Sequence, residues 1–366
     1  TKPLTEFGHS LNATISSVEY DKGVVIWLWS LLITLVFLIV VGGLTRLTDS
    51  GLSIVEWKPV TGMFPPLDEM AWLKEFEKYK AIPEFKLVNF DISMDEFKFI
   101  YWWEWGHRQL ARFVGLIWLI GFSFFLFTRR IPKNWIFYFI GIGLLGGFQG
   151  FLGWWMVSSG LSGRVVDVFS YRLAIHLSMA FIILFYIYWA ILRISNNSIN
   201  MFESIRYRNK LFLRIVIVVG VLSYLQLVLG ALVAGIDAGR GYNDWPLMNG
   251  SFIPDNIFGY EPFLSNFFEN PGLVQFNHRI LGYILFFSVL LMWIFSRKIA
   301  YRKIKSASNY FFLILIFQII LGVITVLYSA PFFMASLHQF TAIILILAFV
   351  NLFFNTYFPV REKITV

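Results

Sequence analysis

Eight stretches of this chain stay apolar for about 20 residues each, the length a helix needs to cross roughly 30 Å of hydrocarbon. They fall near 24–43, 106–128, 135–157, 172–194, 212–234, 276–296, 310–329 and 336–358. A segment inside a bilayer finds no water for its backbone, so it must be a helix or part of a closed barrel. Barrel strands alternate with period two, whereas these runs are continuously apolar. The expected fold class is therefore an all-α integral membrane protein with eight transmembrane helices. Composition agrees, with 58% of the 366 residues hydrophobic and 14% charged, well outside the soluble globular range.

The net charge of +8 does not point to nucleic acid, because the basic residues sit in short loops between spans. Arg129, Arg130 and Lys133 follow span 2; Arg193 to Arg214 surround the link from span 4 to span 5; Arg297 to Lys305 follow span 6. The positive-inside rule places those loops in the cytoplasm, or in the matrix of a mitochondrion, with both termini on the same side. The outer loops are then 44–100, 158–171, 235–275 and 330–335. The chain opens TKPLTEFGHS with no signal-peptide pattern, so span 1 is expected to be a retained helix. His9, in this polar lead, reads as a surface histidine. No transit pattern is evident, which favours the cytoplasmic membrane of a bacterium, with the mitochondrial inner membrane as the alternative. The absence of cysteine removes disulfides, thiolate metal sites and thiol nucleophiles.

The chain reads as a duplication. Span 3 carries GFQGFLGWWMVSSGL and span 7 IFQIILGVITVLYSAP; span 2 carries HRQLARFVG and span 6 HRILGYILF. The loops GGLTRLTDSGLSIVEWKPVTGMFPP and GALVAGIDAGRGYNDWPLMNGSFIP share Gly, Asp, Trp and Pro in the same order. Two pseudo-symmetric four-helix bundles are expected, residues 1–200 and 201–366, joined through a basic connector. Residues 69–80 and 94–100 read as short amphipathic helices at the membrane surface.

Besides His9 the chain has His107, His176, His278 and His338, each near the start of an even-numbered span. Even spans run from outside to inside, so all four imidazoles are expected at one depth, paired as His107 with His176 and His278 with His338. Structural zinc prefers further Cys, Asp or Glu ligands, and a di-iron site needs several carboxylates. A haem needs only two axial ligands, and two histidine pairs suggest two haem sites. Arg108 and Arg279, each directly after a histidine, are placed to anchor propionates or to pair with outer-loop acids. Arg46, Arg112, Arg164, Arg172 and Arg240 are weaker candidates for the same work. Glu104 lies three residues before His107 and faces the same way, while the matching position before His278 is Gln275. A carboxylate there suits a general base, which marks the amino-terminal pocket for chemistry and the carboxy-terminal one for a resident haem.

These residues carry a resemblance. EWKP, EFKFIYWWEWGHRQLARFVG, GFQGFLGWWMVSSGL, YNDWPLM and NHRILGY resemble the haem A synthase family, in the branch of alphaproteobacteria and mitochondria, over about residues 23–358. The resemblance implies oxidation of the C8 methyl of haem O to a formyl group through hydroxylated intermediates, giving haem A for cytochrome oxidases. It further implies haem b on His278 and His338, and substrate haem O between His107 and His176 beside Glu104. Haem O synthase, cytochrome oxidase assembly factors and an unnamed electron donor or acceptor are implied as partners, and Phe-rich outer faces leave room for a homo-oligomer. Another branch carries a cysteine pair in its first outer loop, which this chain lacks. The competing reading is a di-haem b electron-transfer protein, disfavoured because all four histidines lie at the outer side instead of on both faces.

Overall fold

The computed structural model describes residues 21–162, 166–196 and 198–360, the side chains of 198–200 excepted; His9 and Arg164 lie outside them. Eight helices long and apolar enough to cross a membrane are present among the described residues: Lys22–Leu47, Met94–Phe127, Lys133–Val157, Ser170–Ile194, Lys210–Gly235, Pro271–Ser296, Arg302–Leu327 and Phe332–Tyr357, numbered here as spans 1 to 8. The chain is a multi-pass membrane protein. Helix starts follow local chemistry. Asp21 accepts from the Gly23 amide at 2.7 Å, Asn209 from Phe212 at 2.9 Å and Asn270 from Leu273 at 3.2 Å, and each acceptor satisfies a first-turn N–H that no carbonyl can reach. Pro132 and Pro331 precede spans 3 and 8, where a missing N–H costs nothing.

Spans 1, 4, 5 and 8 pack against one another in the centre, with spans 2 and 3 flanking one side and spans 6 and 7 the other. Their inner faces interlock through Leu28, Leu31, Leu184, Ile187, Ile343 and Val350 on one side. Phe212, Val216, Val289, Phe311 and Leu352 do the same on the other. Apolar residues such as Ile26, Phe127, Phe137 and Leu313 point outward and stay exposed, as lipid-facing positions should. Where span 8 meets span 1, the Gln339 amide donates to the Ile39 carbonyl at 2.8 Å. It fits only because residue 43 is glycine, since a Cβ there would lie 1.6 Å from Gln339 Oε1.

Span 2 corrects one expectation. Residues 94–100 are not a separate surface helix; they are the first two turns of a single 34-residue helix that begins at a capping box, with Ser93 and Glu96 bonding reciprocally. At 1.5 Å per residue that helix is about 51 Å long, some 20 Å more than the hydrocarbon needs. The Glu69–Lys80 helix forms as expected, but its buried side, Phe76 and Tyr79, lies against Phe97 and Tyr101 of this extension. Aromatic packing on the protein covers that side.

Candidate functional site

The four histidines sit in one repeated setting. His176, His278 and His338 lie six, seven and six residues after their helix starts, so about 9–10 Å below them. His107 starts later in its helix only because span 2 is extended. Each ring packs on a glycine of the preceding span. A Cβ at Gly42, Gly153, Gly230 or Gly322 would lie 2.8, 3.0, 3.1 or 3.0 Å from Cε1 of His107, His176, His278 or His338 respectively. Such an approach excludes every larger residue without displacement of the ring.

Four residues before three of these glycines stands a glutamine. The amide nitrogens of Gln149, Gln226 and Gln318 donate to the backbone carbonyls of His176, His278 and His338 at 2.9, 3.0 and 3.0 Å. They also lie 3.2 to 3.3 Å from a ring nitrogen of the same histidine. The sequence reading singled out the motif in spans 3 and 7 but passed over Gln226–Gly230 in span 5, where the same spacing was visible.

His107 and His176 interact electrostatically, as do His278 and His338, so the expected pairs are neighbours in space. An iron held through one ring nitrogen leaves the other N–H seeking an acceptor. The Oε1 atoms of Gln149, Gln226 and Gln318 are buried without hydrogen-bond partners, as are Nδ1 of His107 and His338. Those idle donors and acceptors, with each imidazole seated directly against a glycine and no thiolate to compete, fit bis-imidazole ligation of a porphyrin iron.

Glu104 is nearly fully buried, at 3% exposure, and four donors hold it. Oε2 accepts from Ser53 Oγ and the Ile54 amide at 2.7 Å each; Oε1 accepts from Arg108 Nη2 at 2.6 Å and Nε at 3.1 Å. Arg108 also donates to the carbonyls of Ile54 and Glu56 at 2.8 and 3.1 Å. The second half repeats the plan without the charge. Arg279 donates to Gln275 Oε1 at 3.0 Å and to the carbonyls of Tyr242, Asp244 and Leu247. Both arginines therefore fasten an outer loop onto the helix that carries the preceding histidine.

The weaker arginine candidates divide. Arg112 donates to the Pro59 and Lys58 carbonyls at 2.9 Å. Arg172 reaches the Trp155 carbonyl at 2.6 Å and stacks over that indole, and Arg240 stands 3.6 Å from Asp237. Arg46 takes the expected alternative of pairing with outer-loop acids, and does so with three at once, bonded to Asp49, Asp167 and Asp237 at 2.8, 2.9 and 3.0 Å. It ties the outer loops of both halves together. Burial pushes the Asp167 carboxyl above its ordinary value against the pull of Arg46. Glu84, 7% exposed with Oε2 unpartnered, is pushed up to about 8 by burial and by the charges of Asp167 and Glu104.

Comparison with known proteins supplies the family. Residues 25–350 match the COX15-CtaA family model, described as cytochrome oxidase assembly protein. A protein named heme A synthase from Dinoroseobacter shibae is 49% identical over 93% of this chain and 88% of its own length. Proteins of the same name from Roseobacter denitrificans and a Jannaschia species are 45% and 47% identical, over 94% and 89% of this chain and 90% and 86% of theirs. Matched across nearly its whole length, on the spans and loops that build both histidine pairs, the chain belongs to the cytochrome oxidase assembly protein family.

Proposed function

We propose that this chain is a haem A synthase of a bacterial cytoplasmic membrane, an oxidoreductase that converts the C8 methyl of haem O to a formyl group and so supplies haem A for cytochrome oxidase. The relatives' names support the activity. The observation that carries the division of labour is the difference between two otherwise matched settings, Glu104 beside His107 and Gln275 beside His278.

On this reading residues 1–200 form the substrate half, where His107 and His176 flank the iron of haem O. Residues 201–366 form the half in which His278 and His338 hold haem b. Bound there, haem b supplies one-electron redox capacity. With water as the oxygen source, methyl plus water gives formyl plus four protons and four electrons, so the site must export both; the electrons leave to an acceptor outside the chain. Glu104, fixed by Ser53, Ile54 and Arg108, is the carboxylate nearest in sequence to a substrate-side imidazole and takes a proton during oxidation. Arg108 and Arg279 keep the outer loops closed over their pockets.

Pigment extraction from purified protein tests the reading. Haem b together with haem O, a hydroxylated intermediate or haem A is expected; haem b alone in both pockets would favour the di-haem electron-transfer protein. His278→Ala and His338→Ala should deplete haem b, whereas Glu104→Ala should keep haem b and lose conversion. Equal loss of haem b in Glu104→Ala would reverse the pocket assignment. Oxygen-18 water that fails to label the formyl group would end the water route.

A further inference from the structure

Two recesses meet on the outer part of span 2. One is a crevice of 650 Å³ walled almost wholly by apolar side chains, among them Phe37 of span 1 and Trp102, Gly106, Phe113 and Leu116 of span 2. Phe37, Phe113 and Leu116 are exposed there, where lipid would be. The other, of 270 Å³, lies under the first outer loop and is polar, with Lys58, Lys74, Arg108 and Arg112 on its wall beside the carboxylates Glu56 and Glu75. Arg112 lines both. We propose that the two recesses together hold one anionic phospholipid of the outer leaflet, its phosphate beside Arg112 and Lys74 and an acyl chain in the crevice.

The ion pairs of the polar recess leave positive charge unmatched. Lys58 pairs with Glu56 at 2.5 Å, Lys78 with Glu56 and Glu75 at 2.7 and 2.6 Å, and Arg108 with Glu104 at 2.6 Å. Both wall carboxylates are thereby used. Among the described residues Lys74 and Arg112 have no carboxylate within ion-pair distance. Arg112 Nε and Nη2 donate to the Pro59 and Lys58 carbonyls, which orients the guanidinium without balancing its charge, and Nη1 has no acceptor. A guanidinium forks onto phosphate oxygens as it does onto a carboxylate.

Depth and direction select a lipid. Counted back from Phe127, about 20 residues cross the hydrocarbon, so its outer edge falls near Arg108 and Arg112 lies about one turn inside. A cation there is costly unless it reaches water or a counter-charge. Helix side chains lean toward the N-terminus, which carries the Arg112 head toward the headgroups, while Phe113 and Leu116 lie at acyl-chain depth. Arg112 is also turned about 140° from His107 around the helix, away from a haem held by that imidazole. Basic pockets beside membrane spans are a known form of anionic-lipid site. A neutral lipid would fill the crevice but leave both cations unmatched.

Native mass spectrometry of full-length protein in detergent, titrated with phosphatidylglycerol or phosphatidylcholine, tests the site. One phosphatidylglycerol should bind in preference to phosphatidylcholine, and inorganic phosphate should not displace it. Arg112→Gln and Lys74→Gln should each weaken phosphatidylglycerol about fivefold, whereas Lys86→Gln, which removes an exposed charge elsewhere on the same loop, should change it less than about twofold. The apolar half has its own variant. A Cβ at Gly106 meets nothing within 4 Å, so Gly106→Leu fills the crevice without a clash in the backbone's surroundings and should displace the lipid with both cations intact; it carries the test if Arg112→Gln does not fold. Phosphatidylcholine held as tightly as phosphatidylglycerol, or equal losses in Lys74→Gln and Lys86→Gln, would overturn the inference. One-for-one displacement of phosphatidylglycerol by haem O would do so too, by giving the recess to the substrate's propionates.

Discussion

Replacing Glu104 separates two roles that its position combines. Glu104→Ala deletes all four accepted hydrogen bonds and leaves Arg108, whose side chain is 17% exposed, without its counter-charge. Removing one partner of a buried pair costs about 3–5 kcal/mol. Arg108 keeps the Ile54 and Glu56 carbonyls, which places the cost near the lower end, about 3 kcal/mol. Glu104→Gln is milder. Its amide oxygen can serve Arg108 and its NH₂ can donate to Ser53 Oγ, but then the Ile54 N–H has no acceptor, at about 1–2 kcal/mol. Because the outer loop is fastened by these bonds, the loss appears as local opening. Hydrogen exchange at the Ile54 amide should accelerate about 100-fold in Glu104→Ala and about tenfold in Glu104→Gln. Conversion of haem O should be abolished in both, since neither carries a carboxylate. Unchanged Ile54 protection in Glu104→Ala would refute the fastening role, and conversion retained in Glu104→Gln would refute the proton-accepting one.

Three further outcomes follow from the outer face and the span 1 seam. Glu84 has a folded pKa raised from 4.5 to about 8, so the folded state holds a proton that the unfolded chain releases. Stability should therefore fall as pH rises between those values, by no more than about 5 kcal/mol. Glu84→Gln should flatten that slope in thermal melts, and an unchanged slope would exclude Glu84 as its source. Arg46→Ala leaves Asp49, Asp167 and Asp237 facing one another; discounted for their partial exposure, the loss should be about 2 kcal/mol. Arg46→Lys should restore only part of it, because an ammonium cannot fork between carboxylates, and full recovery would show that charge alone suffices. Gly43→Ala should evict Gln339 from its place against Ile39, for about 1–3 kcal/mol. The Gly43→Ala/Gln339→Ala double variant should melt higher than Gly43→Ala alone if the clash is the cause.

What the sequence disclosed and what it hid divide along physical lines. The spans were legible because each is a local, continuous apolar run, and the placement of His176, His278 and His338 near the starts of their spans could be read off the same runs. The extension of span 2 was misread because hydropathy drops between Met94 and Ile100 although no helix breaker intervenes. Phe97, Ile100, Tyr101 and Glu104 keep helical spacing straight through that stretch. That Arg46 would pair with outer-loop acids was one of two readings, but which acids it gathers was hidden for another reason. Its partners lie 3, 121 and 191 positions away in sequence, and no period connects them. Arg108 and Arg279 could be placed beside their histidines, yet that they serve loop carbonyls depends on where the loops fold back. Gln226 was within reach, since its spacing to Gly230 copies that of Gln149 to Gly153 and Gln318 to Gly322.

The length of span 2 has a mechanical consequence. A single unbroken rod carries the aromatic platform of Phe97 and Tyr101 at one end and the His107 imidazole farther down, with no hinge between them. Whatever tilts the aqueous cap must swing that imidazole too, and the seat of Glu104 moves with it. Geometry at His107 is thereby set partly by the packing of Phe97 and Tyr101, earlier on the same rod.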